Sequence, residues 1–133
     1  MSILASRRSE ETTPPATLEV GAVLYAKLTE LYQKQLALIS PDQYLIEHGS
    51  PRSVANHVLT FLWYRPFLPD EGAVLDWGCN HAPDSCLLRM TYGQRLQLYG
   101  CDFVDNGRYS VFHEFADLSY TKLDQILIGR NQR

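Results

Sequence analysis

A short stretch in the middle of the chain combines residue types that are typical of a cofactor-binding turn. The apolar residues 73–75 lead into Asp76, and Gly78 follows two positions later. Glycine lets the backbone adopt left-handed angles and approach a ligand closely, and Asn80 is the best substitute for glycine in that conformation. The pattern predicts a strand that ends in an acidic turn able to hold a small molecule.

The turn leads directly into a predicted helix. Ala82 stands where such turns commonly repeat glycine, and because its methyl group disfavours positive φ, we expect ordinary backbone angles there. Pro83 suits the first turn of a helix, where its missing N–H needs no acceptor. Asp84 follows, and its carboxylate complements the helix dipole, which indicates a structural role.

Two further acidic residues extend the candidate site. Asp102 closes the next apolar segment, 26 residues after Asp76. A carboxylate at a strand end can accept hydrogen bonds from the vicinal hydroxyls of a ribose, although a solvated strand end is an equally good explanation for Asp102 alone. Asp117 follows a predicted third strand over residues 109–115, where an adenine ring could lie, but Asp-Leu-Ser is also a common helix start.

The apolar periodicity predicts the scaffold that positions these residues. Apolar side chains recur at three- and four-residue steps over residues 18–38 and 51–65, which indicates two amphipathic helices, and Ser50 caps the second. Strand, turn, helix and strand over residues 73–102 form a βαβ unit. The helix over 51–65 is expected to bury Val54, Val58, Phe61, Leu62 and Trp63.

Three segments of the chain carry a resemblance to a known family. VLDWGCNHAPDSCLLR, LYGCDFVD and FADLSY, in this order, resemble the first three motifs of class I S-adenosylmethionine-dependent methyltransferases. The resemblance covers the chain from about residue 18 onward and implies a Rossmann-like α/β methyltransferase fold with N-terminal helices. It also implies S-adenosylmethionine as the cofactor and transfer of a methyl group to an acceptor. Trp77, Asn80 and Ala82 depart from the family's first motif, which has glycines at alternate positions.

The same resemblance assigns residues to parts of the cofactor. It implies that Asp76 and Gly78 line the methionine part and that Asp102 holds the ribose hydroxyls. Asp117 and Leu118 would flank the adenine. The predicted cofactor site is completed by Trp77, Asn80 and Phe103. No catalytic residue is assigned.

The extent of the chain predicts an incomplete fold. The family fold has seven strands, and its acceptor-binding residues lie mostly after the fourth, so we expect this chain to be truncated after the third or fourth strand. Residues 1–17 are expected to form a disordered tail and 18–133 the incomplete domain, with 125–129 as a candidate fourth strand. Such a half-sheet leaves an open edge beside apolar surface, which predicts a homodimer or a partner chain covering it. A non-catalytic binding or interaction module derived from the fold is the alternative function.

Composition and charge narrow the class of protein. The formal net charge of −3 at pH 7 gives no basic field for nucleic acid. No segment has the length of a signal peptide core or a membrane span, so a cytoplasmic protein is expected. The three cysteines are expected to be reduced. A nicotinamide-dependent Rossmann protein is disfavoured because Asn80, Ala82 and Pro83 stand at the helix entrance, where that fingerprint has glycine.

The chain also contains residue types that could bind a metal ion. Cysteine and histidine are zinc-ligand types, but their spacing here does not match a paired-ligand pattern, so no metal is predicted and the cysteines are interpreted as small buried hydrophobes. The residues concerned are Cys79, His81, Cys86, Cys101 and His113.

Overall fold

The computed structural model describes residues 15–124, which form an α/β structure with five helices and three strands. The helices are α1 (Pro15–Leu38), α2 (Gln43–His48), α3 (Pro51–Tyr64), α4 (Pro83–Tyr92) and α5 (Ser110–Ala116). The strands are β1 (Gly72–Trp77), β2 (Leu96–Asp102) and β3 (Ser119–Lys122), and short 3₁₀ turns occupy Arg65–Phe67 and Gly93–Arg95. None of these helices is long and apolar enough to cross a membrane. The candidate strand over 125–129 and most of the predicted tail lie outside the described residues.

The three strands form one parallel sheet in the order β1-β2-β3. β1 pairs with β2 from Gly72 opposite Leu96 to Trp77 opposite Cys101. β2 pairs with β3 up to Asp102 opposite Lys122. Because all strands run in the same direction, their carboxyl ends meet at one edge, as the predicted βαβ unit requires.

The predicted third strand over residues 109–115 is wrong, because this segment is the helix α5 and β3 comes after it. The N-cap Tyr109 and the helical residues Phe112 and Ala116 are buried and recur at three- and four-residue steps, which a helix places on one face. The first turn is also capped from outside, since the side chain of Gln35 accepts the N–H of Val111 at 2.8 Å. A seven-residue helix is too short for periodicity to distinguish it from a strand.

Helix α3 begins as predicted, with Ser50 as its N-cap accepting the N–H of Ser53. The buried side chains include Val54, Val58 and Phe61. Trp63 was wrongly expected among them and is exposed, because the inward position after Phe61 is Tyr64, three residues on.

The helices form a layer on only one face of the sheet. This covered face includes the buried Leu96 and Leu98, and Val74 packs against the same core. Successive side chains of a strand point to opposite faces, so the alternate residues form a second face. We call this second face the open face; it is made by Ala73, Leu75, Trp77, Gln97, Tyr99, Cys101, Ser119 and Thr121, and of these only Cys101 is buried.

The buried Arg89 connects the carboxyl ends of helices α4 and α5 to the start of strand β2. The guanidinium of Arg89 donates hydrogen bonds to the carbonyl oxygens of Gly93 (2.6 Å), Leu96 (2.7 Å) and Ala116 (2.7 Å). Its charge lies at the carboxyl ends of α4 and α5, where the helix dipoles favour a cation. Arg89 therefore fixes α4, β2 and α5 to one another.

The N-terminal helices are tied to the same unit by Asp42. This carboxylate caps α2 by accepting the N–H of Leu45 at 3.1 Å. It also accepts hydrogen bonds from Arg108 and from the hydroxyl of Tyr109, both at 2.9 Å. Helix α2 is thus anchored to the segment between β2 and α5.

Candidate cofactor site

The turn between β1 and α4 has left-handed backbone angles at three alternate positions. The φ angles are 65° at Gly78, 49° at Asn80 and 64° at Ala82. The expectation for Gly78 and Asn80 is confirmed, and the expectation of ordinary angles at Ala82 is wrong. A non-glycine residue in this region costs about 1–2 kcal/mol. The turn therefore has the backbone of a three-glycine motif with only one glycine.

Two hydrogen bonds keep Ala82 in this conformation. Its N–H donates to the carbonyl of Cys79 at 2.6 Å, and its own carbonyl accepts the N–H of Cys86 at 3.1 Å as the first bond of α4. The methyl group is fully buried. Local hydrogen bonding and burial thus offset the steric cost of an alanine in the left-handed region.

The carboxyl end of β2 holds the rest of the turn. The carbonyl of Cys101 accepts N–H groups from Gly78 at 2.9 Å and Cys79 at 3.1 Å. Asp102 accepts the N–H of Asn80 at 2.8 Å on one carboxylate oxygen and that of Phe103 at 2.7 Å on the other. Each oxygen of a carboxylate has a second lone pair, so Asp102 retains acceptor capacity for a ligand.

One side of the turn is open to a ligand. Gly78 is exposed, and a Cβ placed on it would meet no heavy atom within 4 Å. A small molecule can therefore approach the backbone here closely, which is the property that glycine provides in nucleotide-binding turns.

Beneath the turn lies a group of carboxylates. Asp76 accepts a hydrogen bond from the hydroxyl of Ser85 at 2.7 Å. Burial raises the pKa of Asp76 above its ordinary value, and the negative charges of Asp84 and Asp102 raise it further, against the opposing Ser85 bond. Burial also raises the pKa of Asp84. Such a site favours a cationic ligand group and opposes a diphosphate.

The structure does not bring Trp77 to this site. Its side chain belongs to the open face and is 72% exposed, whereas Asp76 belongs to the covered face. Phe103 directly follows Asp102 and is partly exposed, so it does lie beside the acidic group.

Asp117 and Leu118 precede β3 instead of following a third strand. Asp117 is the C-cap of α5, and Ser119 pairs with Tyr99, three residues or about 10 Å short of Asp102. Leu118 nevertheless reaches towards the turn, because a Cβ on Gly100 would lie 2.8 Å from its side chain and 2.9 Å from the Cys79 sulfur.

Asp117 and Leu118 both line a cavity of about 350 Å³ alongside α5. Its other lining residues include Asn106, His113 and Tyr120. The Tyr120 hydroxyl lies 3.1 Å from the carbonyl oxygen of Asp102, so this cavity adjoins the carboxyl end of β2. Its volume falls within the range of small-molecule pockets.

Sequence reasoning missed two residues that position the turn. Ser85 bonds Asp76, and His113 donates from Nε2 to the carbonyl of Asn80 at 2.8 Å. Ser85 carried a signal, since it lies in the first turn of the helix that follows the motif. His113 had no such signal, because its hydrogen bond to Asn80 joins residues that are 33 positions apart in the chain.

His81 is a core residue within the turn. It is 1% exposed, its Nε2 lies 2.7 Å from the Tyr32 hydroxyl, and it packs edge-on against Phe112. Burial, reinforced by the neighbouring His48 and His57, lowers the pKa of His81 to about 3. The imidazole is therefore neutral at physiological pH and fixes the turn to α1.

Residues 15–124 contain no group of three histidine, cysteine, aspartate or glutamate side chains that could hold a metal ion. The three cysteines are free and buried. Comparisons with protein-family models, with curated proteins and with solved structures find no match to this chain.

Proposed function

We propose that the chain is an S-adenosylmethionine-binding, methyltransferase-like domain with a Rossmann-like sheet. The observation that carries the proposal is the turn over residues 78–82, whose three alternate left-handed residues lie between the acids Asp76 and Asp102. Nucleotide cofactors bind at the carboxyl ends of parallel strands, beside a turn of this kind and a carboxylate on the next strand.

The charge of the site favours S-adenosylmethionine over a nicotinamide dinucleotide. S-adenosylmethionine has a sulfonium, an ammonium and one carboxylate group, so its net charge is positive and the negative charges of Asp76, Asp84 and Asp102 attract it. A dinucleotide brings a diphosphate, which the same carboxylates repel. The nicotinamide alternative is thus disfavoured by electrostatics as well as by the missing glycines.

In this proposal the residues of the chain bind and orient the cofactor. Asp102 would accept hydrogen bonds from the ribose hydroxyls with its remaining lone pairs, and the cavity beside Leu118 and Tyr120 would hold the adenine. When bound, S-adenosylmethionine supplies an electrophilic methyl group, and the turn holds it in one orientation for an acceptor. His81 cannot act as a base because it is buried and neutral, so no general base is proposed among the described residues.

A second candidate function is a non-catalytic binding or interaction module built on the same fold. The uncovered apolar side chains of Leu75, Trp77 and Tyr99 favour it, because such a patch is typical of a protein–protein contact. A protein-interaction module would not need a cofactor in the turn, whereas a non-catalytic cofactor-binding module would bind one without transferring a methyl group.

The cytoplasmic location remains a prediction.

Calorimetric titration tests the proposal. The wild-type chain should bind S-adenosylmethionine and its demethylated product, and should not bind nicotinamide dinucleotide. Asp102→Asn should weaken binding at least tenfold, because an amide loses one acceptor oxygen and the negative charge. Asp105→Asn is the matched control, since Asp105 is exposed in the next loop and pairs with Lys122.

The controls separate loss of the site from loss of the fold. Asp102 also holds the Asn80 N–H, so circular dichroism and thermal melting must show that Asp102→Asn is folded. Absence of binding by the wild-type chain would reject the cofactor proposal and favour the interaction module. Equal weakening by the Asp105 variant would show a general charge effect.

A further inference from the structure

The open face is unusual for a parallel sheet. Such sheets occur almost only with both faces covered, because their strands are apolar on both sides. Here the helices cover one face, while Leu75 is 59%, Trp77 72% and Tyr99 46% exposed on the other. The described residues therefore contain no cover for this face, and its side chains need one from elsewhere.

We infer that the open face is an interface between two copies of this chain. The size of the patch is the first support. Aromatic side chains such as Trp77 and Tyr99 can bury about 150–250 Å² each, and together with the smaller Leu75 their exposed parts offer on the order of 350 Å² of apolar surface. This lies within the range of functional patches and is about half of the roughly 800 Å² that each partner buries in a stable complex. Smaller neighbours such as Ala73, Ser119 and Thr121 extend the area around it.

The shape of the face is the second support. A depression of about 460 Å³ lies beside Leu75 and Tyr99 and is floored by small side chains, including Ala73, Ser119 and Thr121. Trp77 stands on the same face, at the carboxyl end of β1. A two-fold axis makes each copy present the same patch to the other. A side chain that protrudes from one copy can therefore enter the depression of the other copy. Tryptophan is also among the residues that contribute most to binding at interfaces.

The absence of charge on the face is the third support, because it allows a second copy of the chain as the occupant. The open face contains no aspartate, glutamate, lysine, arginine or histidine, whereas the whole chain has a formal net charge of −3. Like charges facing each other across an interface cost several kcal/mol, so a surface that meets its own copy must be uncharged or internally balanced. An anionic membrane or nucleic acid would need basic residues, and this face has none.

Sedimentation velocity of the full chain over a range of concentrations tests this interface. The wild-type chain should dimerise at micromolar concentration, and Trp77→Ala should weaken dimerisation at least tenfold. Trp63→Ala is the matched control, because Trp63 is also exposed, at 52%, but lies on helix α3. Leu75→Arg should give a monomer through charge repulsion, while Leu59→Arg, at a comparably exposed helical position, should not.

Three results would overturn the inference. The first is a wild-type monomer at a concentration of hundreds of micromolar. The second is a dimer that survives Leu75→Arg or is weakened equally by Trp63→Ala. The third is a monomer in which Trp77, observed by fluorescence in a Trp63→Phe background, is shielded from an aqueous quencher, since another segment of the chain would then cover the face. None of these three results depends on whether the turn binds S-adenosylmethionine, which is measured separately by titration.

Discussion

The two faces of the sheet differ although they belong to the same strands. Leu98 and Tyr99 are neighbours in β2, yet Leu98 is 2% and Tyr99 46% exposed. The covered face carries the core and the turn with its acidic residues, whereas the open face has uncharged side chains without a cover among the described residues. Stability and the candidate chemistry thus lie on one side of the sheet, and the other side remains available for assembly.

The largest expected effect compares a leucine from each face. Leu98→Ala should lower the free energy of unfolding by about 3 kcal/mol, because it leaves a cavity in the core. Leu75→Ala should lower it by less than about 1 kcal/mol in the monomer, because its side chain already contacts water. Urea unfolding at low protein concentration measures both. Equal losses would contradict the division into a covered and an open face.

The next largest effect concerns pH and belongs to the covered side. His81 has a pKa of about 3 in the folded chain and an ordinary value near 6.5 when unfolded, so the unfolded chain binds more protons between these values. Stability should therefore fall as pH decreases below 6.5, by about 2 kcal/mol at pH 5 from His81 alone. Burial also lowers the pKa values of His57 and His113, which adds to the effect, while the raised pKa of Asp76 opposes it at lower pH.

Urea unfolding at pH 7 and pH 5 measures this dependence. His81→Gln keeps a polar side chain but cannot titrate, so the change in stability between the two pH values should be about 2 kcal/mol smaller than in the wild type. An unchanged pH dependence in this variant would show that His81 is not its source.

A smaller effect tests the strain in the turn. Ala82→Gly should be less destabilising than Ala116→Gly by about 1–2 kcal/mol, because both variants lose a buried methyl group and gain freedom when unfolded, whereas only Ala82→Gly relieves the steric cost of left-handed angles. Ala116→Gly provides the contrast, since Ala116 is buried in helix α5 and the same substitution should destabilise by about 1 kcal/mol. Thermal melting of both variants gives this difference, and equal destabilisation by the two substitutions would contradict a strained Ala82.

The smallest expected effect is on cofactor affinity. Because Trp77 lies on the open face, Trp77→Ala should leave the dissociation constant for S-adenosylmethionine within about twofold of the wild type. The measurement is titration at a concentration where both proteins are monomeric. A tenfold loss of affinity for S-adenosylmethionine would indicate that Trp77 belongs to the cofactor site after all.

Sequence reasoning found the parts of the fold that are local and strongly patterned. The helix after Ser50, strand β1, helix α4 and strand β2 were predicted from periodicity and capping, and so were the left-handed angles of Gly78 and Asn80. These features depend on interactions between residues close in the sequence.

Features that depend on distant residues were missed. Helix α5 is capped by Gln35, which precedes Val111 by 76 residues. A hydrogen bond between residues so far apart cannot be predicted from the sequence around α5. Ala82 has its unexpected angles because burial and two hydrogen bonds outweigh the preference of an isolated alanine. The bond from Asn80 to Asp102 likewise shows only after β1 and β2 are paired.

The Gln35 bond has a consequence for how the chain acquires its fold during synthesis. A ribosome releases the N-terminal part first, so helix α1 emerges well before the α5 segment that it caps. Until then Gln35, which is fully buried in the folded chain, has neither of its partners, the N–H of Val111 and the carbonyl of Arg108. The part of α1 around Gln35 therefore stays without its partners until α5 has been translated, whereas the part that packs against α3 can be covered earlier.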